Sequence, residues 1–285
     1  MKALPEHPEG VQPEGVHPEG VNAEGVQPDV VREQTTALLV EHVAARVNQV
    51  LVEAQEDRGR ASLALTGGPL VITAIQALAA STRTAEFVPD WSCVDLWWCE
   101  EYFLPQEHPQ RNAQRAAAAS ENFMLLSQVP PENVHVIGDS DQFFTAEDAA
   151  ADYLAELKAA ADADGNGSEF PIFDIALLGV GAHQPVAAQM SGSTGAQALD
   201  LDRLPEPGRM HEATVVVCGS HQEPSPLIAM TLPLISTSHH LWMLASDAQE
   251  VAAAQQLVRN TTAGGSQGLG VSGQFSTVLF TTSED

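Results

Sequence analysis

Lysine is almost absent from this sequence, which has only Lys2 and Lys158 in 285 residues. The sequence has 12 lysines and arginines but 38 aspartates and glutamates, so its formal net charge is −26. Nucleic acids and anionic membranes are bound by clustered cations, and we therefore expect neither as a partner. A phosphorylated ligand would normally be held by Arg or Lys, of which the chain has few.

Cysteines, aromatic residues and long apolar runs are scarce as well. The three cysteines, Cys93, Cys99 and Cys218, are odd in number and show no CxxC spacing. We therefore expect no disulfide framework and no metal site. No run approaches the 18 apolar residues of a membrane span, and the N-terminus lacks the apolar segment of a secretory signal. These absences predict a cytoplasmic protein.

Residues 1–31 form a low-complexity tail with a period of five, as in His7–Val11 and Gln12–Val16. Proline and glycine recur in the units, and one valine per unit cannot build a core. Six acids and one lysine give this tail a charge of −5, and the remaining residues carry −21. We predict a disordered tail, with binding of a protein partner as the alternative. Residues 32–285 then form a single domain.

That domain alternates helical and strand patterns. Apolar residues recur at helical spacing over 36–54, whereas Ala61–Leu65, Val94–Trp98 and Phe173–Leu178 are short apolar strands. This alternation predicts an α/β fold with a mainly parallel, Rossmann-like sheet flanked by helices. Ligands bind such sheets at the carboxyl ends of the strands. The loops of interest follow residues 65, 98, 178 and 244.

Two of these loops contain candidate site residues. Thr66-Gly67-Gly68 lies between a strand and a helix, where glycines let backbone amides approach an anion. Tight packing is an equally good explanation for the same glycines. Glu100 and Glu101 follow another strand, and they are either a catalytic pair or a solvated rim.

Four segments, taken in order, resemble the 6-phosphogluconolactonase family. They are Ala64–Gly68, Val94–Pro105 with Arg111 and Asn112, Phe173–Gly181, and Met230–Ile235 followed by Leu241–Leu244. The resemblance implies a fold of the sugar-phosphate isomerase and deaminase type. It also implies hydrolysis of 6-phosphoglucono-lactone to 6-phosphogluconate in the pentose phosphate pathway, without a cofactor or a metal. The substrate-binding residues that it implies are Thr66, Gly67, Gly68, Glu100, Arg111, Asn112, Gly179 and Gly181.

The chain departs from the family pattern at the catalytic base. The family carries a histidine in a Gly-x-Gly-x-Asp-Gly-His loop, and Pro185 stands in its place here. Proline offers neither a base nor a backbone N–H. His183 lies two residues earlier and is a candidate relocated base, which Glu100 or Glu101 would orient. The alternative is a loop histidine without a catalytic role.

The family's cations are replaced too. By alignment, Tyr102, Leu227 and Gln249 occupy positions where the family has Arg or Lys. Two hypotheses follow: a 6-phosphogluconolactonase with a relocated base, or a non-catalytic family member that binds or regulates, with the tail as a tether. The missing base and cations favour impaired activity. A measured rate of lactone hydrolysis separates the two hypotheses.

Overall fold

The computed structural model describes residues 28–81, 85–120, 128–165, 167–181, 214–218, 225–259 and 271–283. The strands are β1 (Asp29–Glu33), β2 (Ala61–Leu65), β3 (Val94–Trp98), β4 (Glu100–Tyr102), β5 (Val134–His135), β6 (Ile175–Gly179), β7 (Val215–Cys218), β8 (Leu227–Met230), β9 (His240–Ala245) and β10 (Ser276–Thr282). The helices are α1 (Thr36–Arg58), α2 (Pro69–Ser81), α3 (Asn112–Ser120), α4 (Ala146–Asp164), α5 (Leu232–Ile235) and α6 (Ala248–Arg259).

The predicted α/β fold is confirmed. Seven described strands form a parallel sheet in the order β1-β10-β9-β6-β2-β3-β5. Successive side chains of β6 enter different cores, with Leu177 packed under α1 and α2 and Leu178 packed on the side of α4 and α6. Both faces of the sheet are covered, which is why its strands read as nearly unbroken apolar runs.

Helix α1 shows how local sequence sets the bounds of an element. The Thr35 hydroxyl accepts a hydrogen bond from the Leu38 amide at 3.3 Å and caps the first turn. Gly59 ends the helix in the left-handed region at φ 76°, which glycine adopts at little cost. Arg58 is the last helical residue, so α1 continues for one turn after the apolar spacing of 36–54 and ends at Arg58-Gly59-Arg60, as the sequence predicts.

The chain reverses its direction of travel across the sheet between β2 and β6. From β2 it moves outward through β3 to β5, and it then returns to β6 on the other side of β2. Leu65 and Leu177 are register partners across this junction. In open parallel sheets, such a switch point leaves a crevice at the carboxyl ends of the two strands.

The predicted boundary after residue 31 is wrong. Asp29, Val30 and Val31 belong to β1, which pairs with β10 from Val278 onward. The two valines pack against the two hydrophobic cores, and this burial draws them into the sheet. Residues 1–27 lie outside the described ranges.

A second sheet departs from the parallel pattern. Strands β4, β8 and β7 pair in antiparallel register. Glu100 and Glu101, which we expected in a loop, are therefore strand residues. Within the described ranges, no helix is long and apolar enough to cross a membrane.

Candidate functional site

Thr66 joins the ends of β2 and β6 at the switch point. This fully buried residue donates its amide to the Leu177 carbonyl at 3.2 Å. Its hydroxyl accepts from the Gly179 amide at 2.8 Å and donates to the Gly67 carbonyl at 3.2 Å. A Cβ on Gly179 would stand 2.8 Å from that same carbonyl, so the close approach of the two strand ends requires glycine.

Two backbone amides at the start of α2 are available to a ligand. Gly68 has φ +101°, and Pro69 follows it as the first residue of the helix. Among the described residues, the amides of Gly67 and Gly68 have no hydrogen-bond acceptor. Because the amino end of a helix carries partial positive charge, these amides form a suitable anion site. We call the crevice expected at this switch point, beside Thr66–Gly68 and Gly179–Gly181, the switch-point cleft.

Glu101 is fully buried and caps α3. Its carboxylate accepts hydrogen bonds from the amides of Asn112 at 2.7 Å, Ala113 at 2.9 Å and Tyr102 at 2.9 Å. Burial raises the pKa of Glu101, although Arg111 and the three amides oppose that shift. The solvated-rim interpretation is therefore wrong for this residue, and its contacts favour a structural role over a catalytic one.

Arg111 holds two loops together from a buried position, with 2% of its surface exposed. One terminal nitrogen donates to the carbonyls of Tyr102 at 3.1 Å and Leu104 at 3.3 Å. The other donates to the carbonyl of Ile137 at 2.6 Å, and Nε lies 3.8 Å from Glu101. These contacts hold the guanidinium mainly on backbone carbonyls, which favours a structural role for Arg111 over the phosphate contact that the family resemblance implies.

Asn112 reaches from the start of α3 to the turn before α2. Its Nδ2 donates to the Glu100 carbonyl at 3.0 Å. A Cβ on Gly67 would stand 2.0 Å from its Oδ1, so the carboxamide borders that glycine directly. The structure therefore brings Asn112, the Glu100 backbone, Thr66, Gly67 and Gly179 together.

The far side of the cleft is described only in part. The amide of Val180 donates to the Leu244 carbonyl at 3.0 Å, which places the Gly179–Gly181 turn beside the end of β9. The candidate base His183 and the neighbouring Pro185 lie outside the described residues.

The loop after β9 was among the loops of interest, but we did not predict how its side chains cap α6. Asp247 accepts hydrogen bonds from the amides of Gln249 and Glu250, each at 2.8 Å, and caps α6. Glu250 accepts from the Ser246 amide at 2.7 Å. The spacing Ser246-Asp247-x-x-Glu250 resembles a capping box, which is a signal visible in the sequence.

The charge near the switch-point cleft is negative or neutral. The strand-end segments 66–68, 99–102, 179–181 and 246–250 contain carboxylates and no Lys or Arg. An anion bound beside these segments would depend on backbone amides. Across the described ranges, no group of three or more His, Cys, Asp and Glu is placed to hold a metal ion.

This fold and this site define an α/β protein of the class whose ligand sites lie at the switch point of a parallel sheet. Residues 34–267 match the family described as glucosamine-6-phosphate isomerases/6-phosphogluconolactonase. The chain belongs to that family, as its sequence motifs predicted.

Curated relatives support the same assignment. A 6-phosphogluconolactonase of Streptomyces coelicolor is 37% identical over 226 residues, which cover 77% of this chain and 78% of the relative. One from Mycobacterium tuberculosis is 32% identical over 221 residues, covering 76% of this chain and 81% of the relative.

Solved structures share the fold at low sequence identity. The crystal structure of a 6-phosphogluconolactonase from Thermotoga maritima has a TM-score of 0.65 at 19% identity, and it covers 90% of this chain and 100% of its own. A monomeric glucosamine-6-phosphate deaminase has a TM-score of 0.59 at 17% identity, with 90% and 98% covered.

Proposed function

We propose that this protein hydrolyses 6-phosphoglucono-lactone to 6-phosphogluconate in the switch-point cleft. Relatives at 37% and 32% identity carry the name 6-phosphogluconolactonase. The observation that carries the proposal is the pair of amides at the amino end of α2, Gly67 and Gly68, which have no acceptor among the described residues. We propose that it does so as a cytoplasmic enzyme of the pentose phosphate pathway.

Binding depends on these amides and on the positive end of the helix. They are suited to an anion, which is either the 6-phosphate or the oxygen that becomes negative as the lactone reacts. The neighbouring segments have no Lys or Arg, and each missing charge-assisted hydrogen bond weakens binding by about 1.5–3 kcal/mol. We therefore propose weaker phosphosugar binding than in relatives that keep those cations.

Hydrolysis requires a base that activates water. Water attacks the C1 carbonyl carbon, the bond from C1 to the ring oxygen breaks, and the ring oxygen takes up a proton. We propose His183 as the base, because a neutral imidazole accepts a proton near pH 7 and this residue follows Gly181 by two positions. Glu101 does not take part directly in this scheme, since its described partners are backbone amides and Arg111.

A second candidate function is binding without turnover, as a regulatory protein. Pro185 in the family's histidine position and the absence of cations from the strand-end segments favour it. In this case, the acidic repeats of residues 1–27 would tether a protein partner. Loss of a co-purifying protein on deletion of these repeats would support this tether, and unchanged co-purification would argue against it.

One experiment separates the two functions. The rate of 6-phosphoglucono-lactone hydrolysis is compared with the spontaneous rate, and binding of 6-phosphogluconate is measured by calorimetry. We expect catalysis that His183→Ala abolishes, while His239→Ala, at the opposite edge of the sheet, leaves it unchanged. Binding without any catalysis would reject the lactonase and support the second candidate.

A further inference from the structure

Asn112 occupies the space in which a side chain at position 67 would have to stand. A Cβ on Gly67 would lie 2.0 Å from Oδ1, 2.4 Å from Cγ and 2.6 Å from Nδ2 of Asn112. Nonbonded heavy atoms do not approach so closely, and a methyl group at 67 would therefore displace the carboxamide or the turn.

The carboxamide is held in place and cannot swing aside freely. Asn112 is buried, and its Nδ2 donates to the Glu100 carbonyl at 3.0 Å. Its own amide is bound by Glu101 at 2.7 Å. Because both ends of the residue are anchored, its carboxamide forms a wall against Gly67.

Gly67 is enclosed from the other side as well. Its carbonyl accepts from the Thr66 hydroxyl at 3.2 Å, and a Cβ on Gly179 would stand 2.8 Å from that carbonyl. The peptide that carries the Gly67 carbonyl therefore lies between the end of β6 and the Asn112 side chain. Its position determines where the Gly68 amide points.

We infer that Asn112 is a positioning residue that acts through Gly67. Its carboxamide fixes the turn so that the amides of Gly67 and Gly68 converge on the anionic group of the ligand. Asn112 need not touch the ligand to have this effect. The inference rests on the proposed use of these amides, and it assigns Asn112 a role different from the direct substrate contact implied by the family resemblance.

A double-mutant cycle tests the inference. Gly67 is not among the glycines with positive φ, so alanine suits its backbone and the obstacle is Asn112. Gly67→Ala and Asn112→Ala should each weaken 6-phosphogluconate binding by about tenfold. In the double variant, the new methyl group enters the space that the carboxamide has left. The affinity of the double variant for 6-phosphogluconate should therefore be no lower than that of either single variant.

Gly68→Ala is the matched control. Gly68 has φ +101°, and apart from its chain neighbours no atom of the described residues lies within 4 Å of the position that an added methyl group would take, so alanine strains its backbone without a clash there. Adding Asn112→Ala should therefore not restore the 6-phosphogluconate affinity that Gly68→Ala loses, although it should restore the affinity that Gly67→Ala loses.

The outcomes distinguish this inference from the proposed function. Wild-type protein that does not bind 6-phosphogluconate rejects the proposed function and the inference with it. If wild-type protein binds 6-phosphogluconate and the affinity losses of the two single variants add fully in the double variant, only the inference is rejected. If Gly67→Ala does not fold, folding restored by Asn112→Ala supports the contact, and unchanged affinity of Asn112→Ala rejects the positioning role.

Discussion

The amide of Gly179 donates to the hydroxyl of Thr66 at 2.8 Å, and this bond joins the two strands between which the chain reverses its path across the sheet. Thr66 has no exposed surface, so solvent cannot replace the hydroxyl if it is removed. Its loss leaves a polar backbone group without a partner at the switch point.

We expect Thr66→Val to destabilise the protein by about 1–3 kcal/mol, because valine has a similar shape but no acceptor for the Gly179 amide. Thr66→Ser keeps the hydroxyl and loses one methyl group, at a cost of about 0.8 kcal/mol. Urea unfolding of both variants measures the difference. A serine variant less stable than the valine variant would contradict this explanation.

Glu101→Gln should destabilise the protein by about 3 kcal/mol. The two carboxylate oxygens of Glu101 accept from backbone amides, whereas glutamine has only one acceptor oxygen. Glutamine also leaves the buried Arg111 without a negative partner. Glu107→Gln is the control, since Glu107 is exposed and its replacement should change stability by less than about 0.5 kcal/mol. Chemical unfolding monitored by circular dichroism compares the two variants.

The stability of the protein should depend on the charge of His135. Burial opposes its protonation, but the Asp95 carboxylate, 3.6 Å from Nε2, and a hydrogen bond to Glu156 at 2.6 Å outweigh this effect and raise the pKa of His135. A raised pKa stabilises the fold fully below the unfolded-state value of about 6.5 and loses that contribution as pH rises through the folded-state value.

The stability difference between wild-type protein and His135→Gln should therefore be larger at about pH 5.5 than at about pH 8.5. Glu156→Gln removes one of the two carboxylates and should reduce this pH dependence. Fluorescence of Trp97 provides a second measure, because its ring stacks on His135 with centroids 3.6 Å apart. A difference that does not vary with pH would show that His135 does not titrate as described.

Gly59→Ala should destabilise the protein by about 1–2 kcal/mol, because the residue has φ +76° at the end of α1. In the part of the chain that the structure describes, no atom beyond the chain neighbours of Gly59 lies within 4 Å of the added methyl position, so the cost arises from the backbone. Gly59→Asn should cost less, because asparagine tolerates this conformation better. Thermal unfolding of the two variants tests the order, and equal losses would contradict it.

The sequence was sufficient for elements whose periodicity and end signals agree. The strands Ala61–Leu65 and Val94–Trp98 have the predicted bounds. Strand β1 was missed because Asp29–Val31 also fits the end of an imperfect fifth unit of the five-residue repeat. Its pairing with β10 depends on residues almost 250 positions away, which no local pattern contains.

The site was predictable in its location but not in the roles of its charged residues. Strand-end glycines identified the turn at Gly67 and Gly68 from local sequence. The partners of Glu101 and Arg111 are backbone groups brought together by the fold, and a charge read from the sequence does not reveal that it is buried. The departures from the family pattern at His183 and Pro185 remain observations from the sequence.

The parallel pairing of β1 also fixes the edge of the sheet at which the first described residues lie. Asp29 pairs with Val278 and Glu33 with Thr282, so the chain enters the sheet at its amino edge. The switch-point cleft opens at the opposite, carboxyl edge. A reporter attached at residue 28 would therefore start at the amino edge of the sheet, opposite the edge that holds the proposed ligand site.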